Sequence, residues 1–499
     1  MLDPAGVALA LAPRQAGVVR EVVVADGVFG TVEGPLTSYR RTVRVEAPDA
    51  AGMARVHQSV DFRFVLPFWG WLLGLGLKRH LGRLSPPRRS PWWAPPDRVD
   101  LQAATSLAAL CTLSVVVGYM GTVLTQTISF AADEFGAGKS AQGLALAVVR
   151  ADVVVTLVLV ALADRRGRRL LLLWCAAAGC VLTALAALAP SLAALAGIQV
   201  VGRSFVTGAA LLLAIVAAEE MPAGARAYAV SLLGMSAAVG AGTCVILLPL
   251  ADLGARGWRV LFGVALLGLP LVRAVSRRLP ESRRFRTPHA TAGVAGHGRR
   301  FWLLAVSALL FNVFFSPASQ FQNEFLRTEQ GFTGGRIALF TVLTGVPGGI
   351  GVIVGARLAE RGRRRVGAVA LVVGVGATVI VYLSSGWPLW VWSLLGSVVG
   401  AATVPALGVY GPELFPTSLR GRANGAIGLL GRVGSVVGLV VAGSLSNSSG
   451  RLGPAMALLA LGPLALAALV LFAYPETAHR ELEDLNPEDV PLPPPGLSR

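Results

Sequence analysis

Residues 163–169, Ala163-Asp164-Arg165-Arg166-Gly167-Arg168-Arg169, stand between apolar runs reading LVLVALA and LLLLWCAAAGC. Four arginines packed between such runs do not suit the interior of a water-soluble protein, where each buried guanidinium needs its own counter-charge. A tight cationic turn joining two membrane-spanning helices accounts for the pattern, with the arginines held on the cytoplasmic side. The other apolar runs, and the Lys and Arg between them, are read outward from this turn.

The 499-residue chain is 54% hydrophobic and only 14% charged, where a soluble domain has about 25% charged residues. With a mean hydropathy of +0.65 this marks an integral membrane protein. A net charge of +17 would suggest nucleic acid in a soluble chain. Here the basic residues occupy short loops between apolar runs, so they report orientation and no nucleic-acid partner is expected. Cys111, Cys175, Cys180 and Cys244 fall inside apolar runs without CxxC spacing and read as small buried hydrophobes. His57, His80, His289, His297 and His479 lie outside those runs. Neither a histidine proton relay nor a metal site is expected, and no cofactor. Residues 1–20 lack the basic start and apolar run of a signal peptide.

Residues 1–66 differ from the rest and are expected to form a small cytoplasmic segment. EVVVADG, SYRRTVRVEA and ARVHQSVDFRFVLP alternate with a partial period of two, which predicts three short strands. The run at 64–77 gives about 21 Å of helix, too short to cross a bilayer. Trp69 and Trp71 precede Lys78, Arg79 and Arg83, so residues 67–100 read as an interfacial helix followed by a Pro/Arg-rich linker at the headgroups. The strand–strand–strand–helix order is faintly similar to the end of a START-like fold, and no role is assigned to it.

From Leu101 onward twelve apolar segments of spanning length follow. They run at 101–128, 140–162, 170–189, 192–217, 228–252 and 258–278, then 301–322, 334–358, 366–384, 388–410, 423–445 and 454–474. Arginines concentrate in alternate loops: 165–169, Arg226, 277–300, 361–365, then Arg420 and Arg422. The other loops hold only Lys139, Arg256, Arg327 and Arg451. An even number of spans places both termini in the cytoplasm. The expected fold is an all-α membrane protein of two six-helix bundles, 101–279 and 301–475, joined by a basic cytoplasmic loop at 280–300 and followed by a cytoplasmic tail at 476–499.

The halves repeat. Gly167 is echoed by Gly362, Glu219 by Glu413, Pro222 by Pro416, Arg226 by Arg420, and Pro280-Glu281 by Pro475-Glu476, at offsets of 194 or 195. Six-helix halves repeated in parallel form a transporter architecture with its substrate site at the midplane between them.

Three motifs carry a family resemblance. Residues 160–169 read VALADRRGRR and residues 355–364 read GARLAERGRR, copies of G-x-x-x-D-R-x-G-R-R. Val160 replaces the first glycine, and Ala359 replaces the aspartate, with Glu360 one step later. Glu413, Pro416, Arg420 and Gly421 complete E-x-x-P-x-x-x-R-G, and Glu219, Pro222 and Arg226 repeat it with Ala227 for the glycine. PES at 280–282 and PET at 475–477 are the third. At these residues the chain resembles the major facilitator superfamily, near its sugar-porter and organic-ion symporter branches, over residues 101 to about 485.

The resemblance implies a single-chain, monomeric secondary transporter that exposes a central cavity alternately to each side. It implies gating roles for Asp164, Arg165, Gly167 and Arg168 in the first turn, and for Gly362 and Arg364 in the second. Asp164 would face the start of helix 11, gaining about 0.3–1 kcal/mol from the helix dipole. Arg168, Glu219 and Arg226 would close the cytoplasmic side, as would Arg364, Glu413 and Arg420 in the second half. The alternative is that these arginines only set topology. Asp164 is expected to carry more of the gating than Glu360.

Ionisable residues inside spans are functional by default. Arg150 and Asp152 in helix 2, Arg203 in helix 4 and Arg432 in helix 11 would each cost about 2.5–3.5 kcal/mol facing lipid, so they should face one another or the cavity. Arg150 and Asp152 lie about 200° apart around a helix and cannot pair directly. Sugar porters pair the helix-4 arginine with an aspartate in helix 1, and helix 1 here has no acid within 101–128. Asp152 is expected to replace it, pairing with Arg203 or with Arg432, and protonation of Asp152 would couple transport to protons. The alternative is a static ion pair. Three cations against one anion favour an anionic substrate. Asn312, Ser316, Gln320, Gln322 and Asn323 in helix 7 and Gln126 in helix 1 are expected to line the cavity, with Pro317 breaking helix 7; interhelical hydrogen bonding is the alternative for these polar residues.

These features predict a cytoplasmic-membrane transporter for a small polar or anionic metabolite, with protons as coupling partner. Proton-driven drug or metabolite efflux is the rival within transport. A non-transporting sensor or scaffold using residues 1–100 is the rival outside it. No nucleophile–base pair, metal cluster or nucleotide loop suggests an enzyme.

Overall fold

The computed structural model describes residues 1–15, 17–49, 53–65, 70–83, 98–222, 225–279, 297–359, 361–415 and 417–477. Twelve helices among them are long and apolar enough to cross a membrane. Numbered in chain order, spans 1 to 6 are Leu101–Glu134, Lys139–Leu159, Arg168–Leu188, Leu192–Ala217, Ala229–Leu253 and Trp258–Ser276. Spans 7 to 12 are Gly298–Glu329, Gly334–Val352, Arg363–Leu383, Trp387–Leu407, Ala423–Ser449 and Gly453–Ala473. The chain is a multi-pass membrane protein with an all-α body.

Within each half, glycines set the closest helix contacts. Gly240 of span 5 lies on the carbonyl of Val115 in span 1, and Gly434 of span 11 lies on that of Leu309 in span 7. Both residues of the first pair map onto the second at an offset of 194, so the repeat extends from loop motifs to backbone packing. A methyl at either glycine would overlap the facing carbonyl, which ties these pairs to glycine.

Two spans depart from regular helix. Span 2 breaks at its centre, where the amides of Arg150 and Ala151 bond three residues back, to Ala147 and Val148, at 3.0 Å each. A fresh helix starts at Asp152. In span 7 the expected break at Pro317 does not occur there: the helix runs through it from Gly298 to Gln320. The neighbouring backbone adapts to a missing amide, and the irregularity falls at Phe321 and the wide turn Phe325–Glu329. In that turn Gln330 bonds five residues back to Phe325 at 3.2 Å.

The amino-terminal unit holds four antiparallel strands, not three: β1 (Arg20–Ala25), β2 (Val28–Glu33), β3 (Leu36–Val45) and β4 (Val56–Phe64) in the order β1-β2-β3-β4. The run EVVVADG is half of a hairpin turning at Asp26-Gly27, where Gly27 has φ +67°. Asp-Gly between alternating apolar residues is a strong hairpin signal. The helix expected at the membrane interface forms at Gly70–Leu81. Leu77 and Leu81 are buried against Val19, Leu36 and Tyr39 of the sheet, so that part of its apolar face meets protein. Trp69 lies outside the described residues, as does the Trp71 side chain. Beneath the sheet, Glu21 accepts from Arg41 at 2.7 Å and Tyr39 at 2.5 Å. Burial pushes the Tyr39 phenol up, and the Glu21 bond adds to it.

Candidate coupling site and transport cavity

The break in span 2 delivers Asp152 to the middle of the molecule. Its side chain is 3% exposed and forms an ion pair with Arg432 of span 11, across the boundary between halves. The second carboxylate oxygen accepts from Thr207 of span 4 at 2.8 Å. Thr156 bonds both the Asp152 carbonyl at 2.8 Å and the Ser204 carbonyl at 3.1 Å, fixing span 2 on span 4. The carboxylate therefore has one cationic partner from the other half and one hydroxyl partner from its own.

The other two arginines bond to neutral groups. Arg203 donates to the Gly121 carbonyl of span 1 at 2.8 Å. Arg150 donates to Ser316 of span 7 at 3.3 Å. Both lie within electrostatic reach of Asp152 and Arg432. The cluster holds three guanidiniums and one carboxylate.

A cavity of about 440 Å³ opens inside the second half among spans 7, 8, 9 and 10. Ser319, Gln322, Thr341, Thr344, Thr378 and Ser397 supply its polar wall, with Phe311, Phe315 and Tyr382 as apolar faces. Of the residues expected to contact substrate, Gln322 lines it. Asn323 instead donates to Gln126 of span 1 at 2.6 Å, and Gln320 accepts from Thr125 at 2.8 Å. Asn312 donates to its own helix, at Ala308, at 2.8 Å. In this conformation those amides join the halves or stay within their own.

Further bonds between the halves lie toward the end of the bundle opposite the arginine-rich turns. Asp133 pairs with Arg327 at 2.5 Å and Lys139 with Glu329 at 2.7 Å. Asp252 of span 5 accepts the amides of Gly334 and Gly335 at the start of span 8, at 3.0 and 3.3 Å. Gly143 of span 2 packs on the Leu439 carbonyl of span 11. Lys139 and Arg327 were visible in the sequence as exceptions in arginine-poor loops; their facing partners were not.

The chain also matches known proteins. Its sequence matches the Major Facilitator Superfamily over residues 108–334 and 321–497. The chain belongs to this superfamily. Among solved structures it is similar to the xylose transporter XylE from E. coli in an inward-open conformation (TM-score 0.64, 16% identity, 77% of this chain and 99% of that one). It is also similar to the nucleoside transporter NupG (TM-score 0.59, 13% identity, 74% and 99%). A bacterial homolog of the human lysosomal transporter Spinster, inward-facing and unoccupied, is a further neighbour (TM-score 0.57, 16% identity, 74% and 94%). At these identities the likeness shows the fold. No curated protein matches the sequence.

The superfamily turns can be followed in part. The side chains of Asp164, Arg165, Glu219, Arg226 and Arg420 lie outside the described residues, as does Glu360. Gly167 has φ +104°, a conformation that favours glycine, whereas Gly362 is extended at φ 160°. Glu413, expected beside Arg364, is paired with Arg363. Arg363 also donates to Thr477 at 2.8 Å. The repeat offset of 195 maps Arg168 onto Arg363, and Arg169 onto Arg364. Arg169 and Arg364 do equivalent work: they donate to the carbonyls of Ser276 and Leu471, at the ends of spans 6 and 12. One residue along a helix is a 100° turn, which sends Arg363 and Arg364 to different neighbours. Glu476 of the PET motif accepts the amides of Arg363 and Arg364 at 3.1 and 3.3 Å, capping the start of span 9.

Proposed function

We propose that this protein is a proton-coupled secondary transporter for a small hydroxylated metabolite bearing an anionic group, working as a monomer in the cytoplasmic membrane. Both termini lie in the cytoplasm, on the side of the arginine-rich turns. The observation that carries the reading is the Asp152–Arg432 ion pair joining the two halves. Protonating Asp152 removes the charge that holds Arg432, so the arrangement of the halves becomes linked to proton occupancy.

The substrate class follows from the surroundings. Arg150 and Arg203 carry charge but bond to neutral groups, which suits a substrate carboxylate. The hydroxyl-bearing cavity within the second half has the size of a small-metabolite site. The cross-half bonds at the opposite end support an inward-facing state, closed to the outside.

The test is uptake and efflux of labelled sugars, sugar acids and organic acids in proteoliposomes, with and without an imposed pH gradient. Accumulation of an acid that depends on the gradient supports the reading. Extrusion of hydrophobic cations supports efflux instead. A reconstituted chain that binds and moves no solute in the panel supports a sensor.

A further inference from the structure

Glu324 lies in span 7 between the helix end at Phe321 and the wide turn at Phe325–Glu329. It is 3% exposed, and Asn323 beside it is 4% exposed. Five titratable groups surround this stretch. Asp133 comes from span 1, Lys139 from span 2, and Arg327 and Glu329 from the turn itself. Tyr382 of span 9 packs on Phe325 and donates to the Ala318 carbonyl at 2.5 Å.

Charge accounting isolates Glu324. Lys139 is taken by Glu329 and Arg327 by Asp133. Both local cations are matched before Glu324 is counted, so an ionised Glu324 adds one uncompensated buried charge.

Hydrogen-bond accounting points the same way. The side chain of Gln142 in span 2, 2% exposed, faces Glu324. Yet Glu324 Oε2 and Gln142 Oε1 are both buried without a partner. Each is an acceptor, so neither can satisfy the other. One proton on Glu324 Oε2 supplies the missing donor. The acid then donates to the amide oxygen while the amide nitrogen donates to the acid, closing a two-bond pair across the boundary between halves.

We propose that Glu324 is a second proton-binding site, loaded while the end of the bundle opposite the arginine-rich turns is shut and unloaded when that end opens. It stands apart from the coupling assigned to Asp152 and does not depend on it. Opening separates span 2 from span 7 and admits water, which favours the carboxylate. By linkage, a proton that binds better to the closed state favours closure by the same factor. Acid therefore shuts this end and alkali releases it.

The experiment uses the full chain in lipid nanodiscs and two readouts. Infrared difference spectra follow the C=O band of a protonated carboxylic acid. Labelling of a thiol at Ser446→Cys, a fully buried position near that end of span 11, follows opening when its rate is divided by that of a fully exposed control thiol at the same pH, which removes the thiol's own titration. The wild-type background should lose the acid band and label about fivefold faster as pH rises, within the usual range of coupling. Glu324→Gln should lose the band and the pH dependence of labelling together. Glu324→Asp should keep both, with a displaced midpoint. Gln142→Leu should shift the band, since its partner is gone. An acid band and pH dependence that survive Glu324→Gln, or a band unmoved by Gln142→Leu, would overturn the proposal. In Asp152→Asn the band should persist; its loss there would assign the proton to Asp152 and overturn the proposal for Glu324.

Discussion

Replacing Arg432 by leucine leaves the Asp152 carboxylate buried without its partner from the other half. Removing one member of a buried pair costs about 3–5 kcal/mol, because the remaining charge is stranded. Three features place this site at the low end. The Arg432 side chain is 28% exposed, Thr207 still donates at 2.8 Å, and Arg150 and Arg203 stay within electrostatic reach. A loss of about 3 kcal/mol shifts a two-state population about 100-fold. The pair joins the halves, so the loss falls on the conformation seen here. Asp152→Asn in the Arg432→Leu background removes the stranded charge and should recover most of that loss. The assay is the distance between spin labels on spans 2 and 11, with gradient-driven uptake measured on the same variants. Single variants whose effects simply add in the double, within about 0.5 kcal/mol, would refute a direct energetic link between the two residues.

Three smaller predictions follow from the packing and the turns. Gly434→Ala should cost about 1–3 kcal/mol by forcing span 11 off the Leu309 carbonyl, while Gly242→Ala, with open space around it, should be neutral; thermal unfolding in detergent compares them. Glu476→Gln should cost about 0.3–1 kcal/mol by weakening the carboxylate cap at the start of span 9, seen as faster amide exchange at Val366 and its neighbours. Burial, with Arg14 and Arg83 adding to it, holds the His80 imidazole below its ordinary value of 6.5. The unfolded chain therefore takes up a proton that the native unit refuses. Stability of the amino-terminal sheet should be full above 6.5 and fall as the pH drops below it, until the native imidazole protonates too. His80→Gln should flatten that dependence in amide exchange of β3 and β4.

The twelve spans were legible because hydropathy reports which runs of residues are long and apolar enough to cross a bilayer. The repeat was legible because motifs in loops keep their spacing. Arg203 and Arg432 could both be proposed as partners of Asp152 from their depths, since charges in a span must meet or face water; the choice of Arg432 came from the structure. Three classes of feature were less accessible. The Asp26-Gly27 hairpin was present as a signal and was absorbed into one strand. Glu324 was hidden among polar residues, and only its environment marks it: two matched ion pairs and two orphaned acceptors. The choice between Arg363 and Arg364 depends on a 100° rotation that a motif of consecutive arginines does not encode, although the repeat offset of 195 does.

The described bonds of the superfamily turns have a direction that bears on how the halves move. Arg169 ties span 3 to the end of span 6. Arg363, Arg364, Glu413, Glu476 and Thr477 tie the start of span 9 to the stretch before span 11 and to the end of span 12. Every one of these stays within its own half. The bonds that cross between halves are separate polar contacts at Asp152, Arg150, Thr125, Gln126, Asp133, Lys139 and Asp252, the last two with two bonds each. Networks inside each half hold it together, and the separate contacts between halves can be exchanged one set for another at modest cost. Two buried carboxyl groups lie at the boundary between halves, Asp152 paired with Arg432 and Glu324 facing Gln142. On the proposed reading, a proton arriving at either would change one crossing contact and leave the bonds inside each half untouched, as rocking of one half against the other requires.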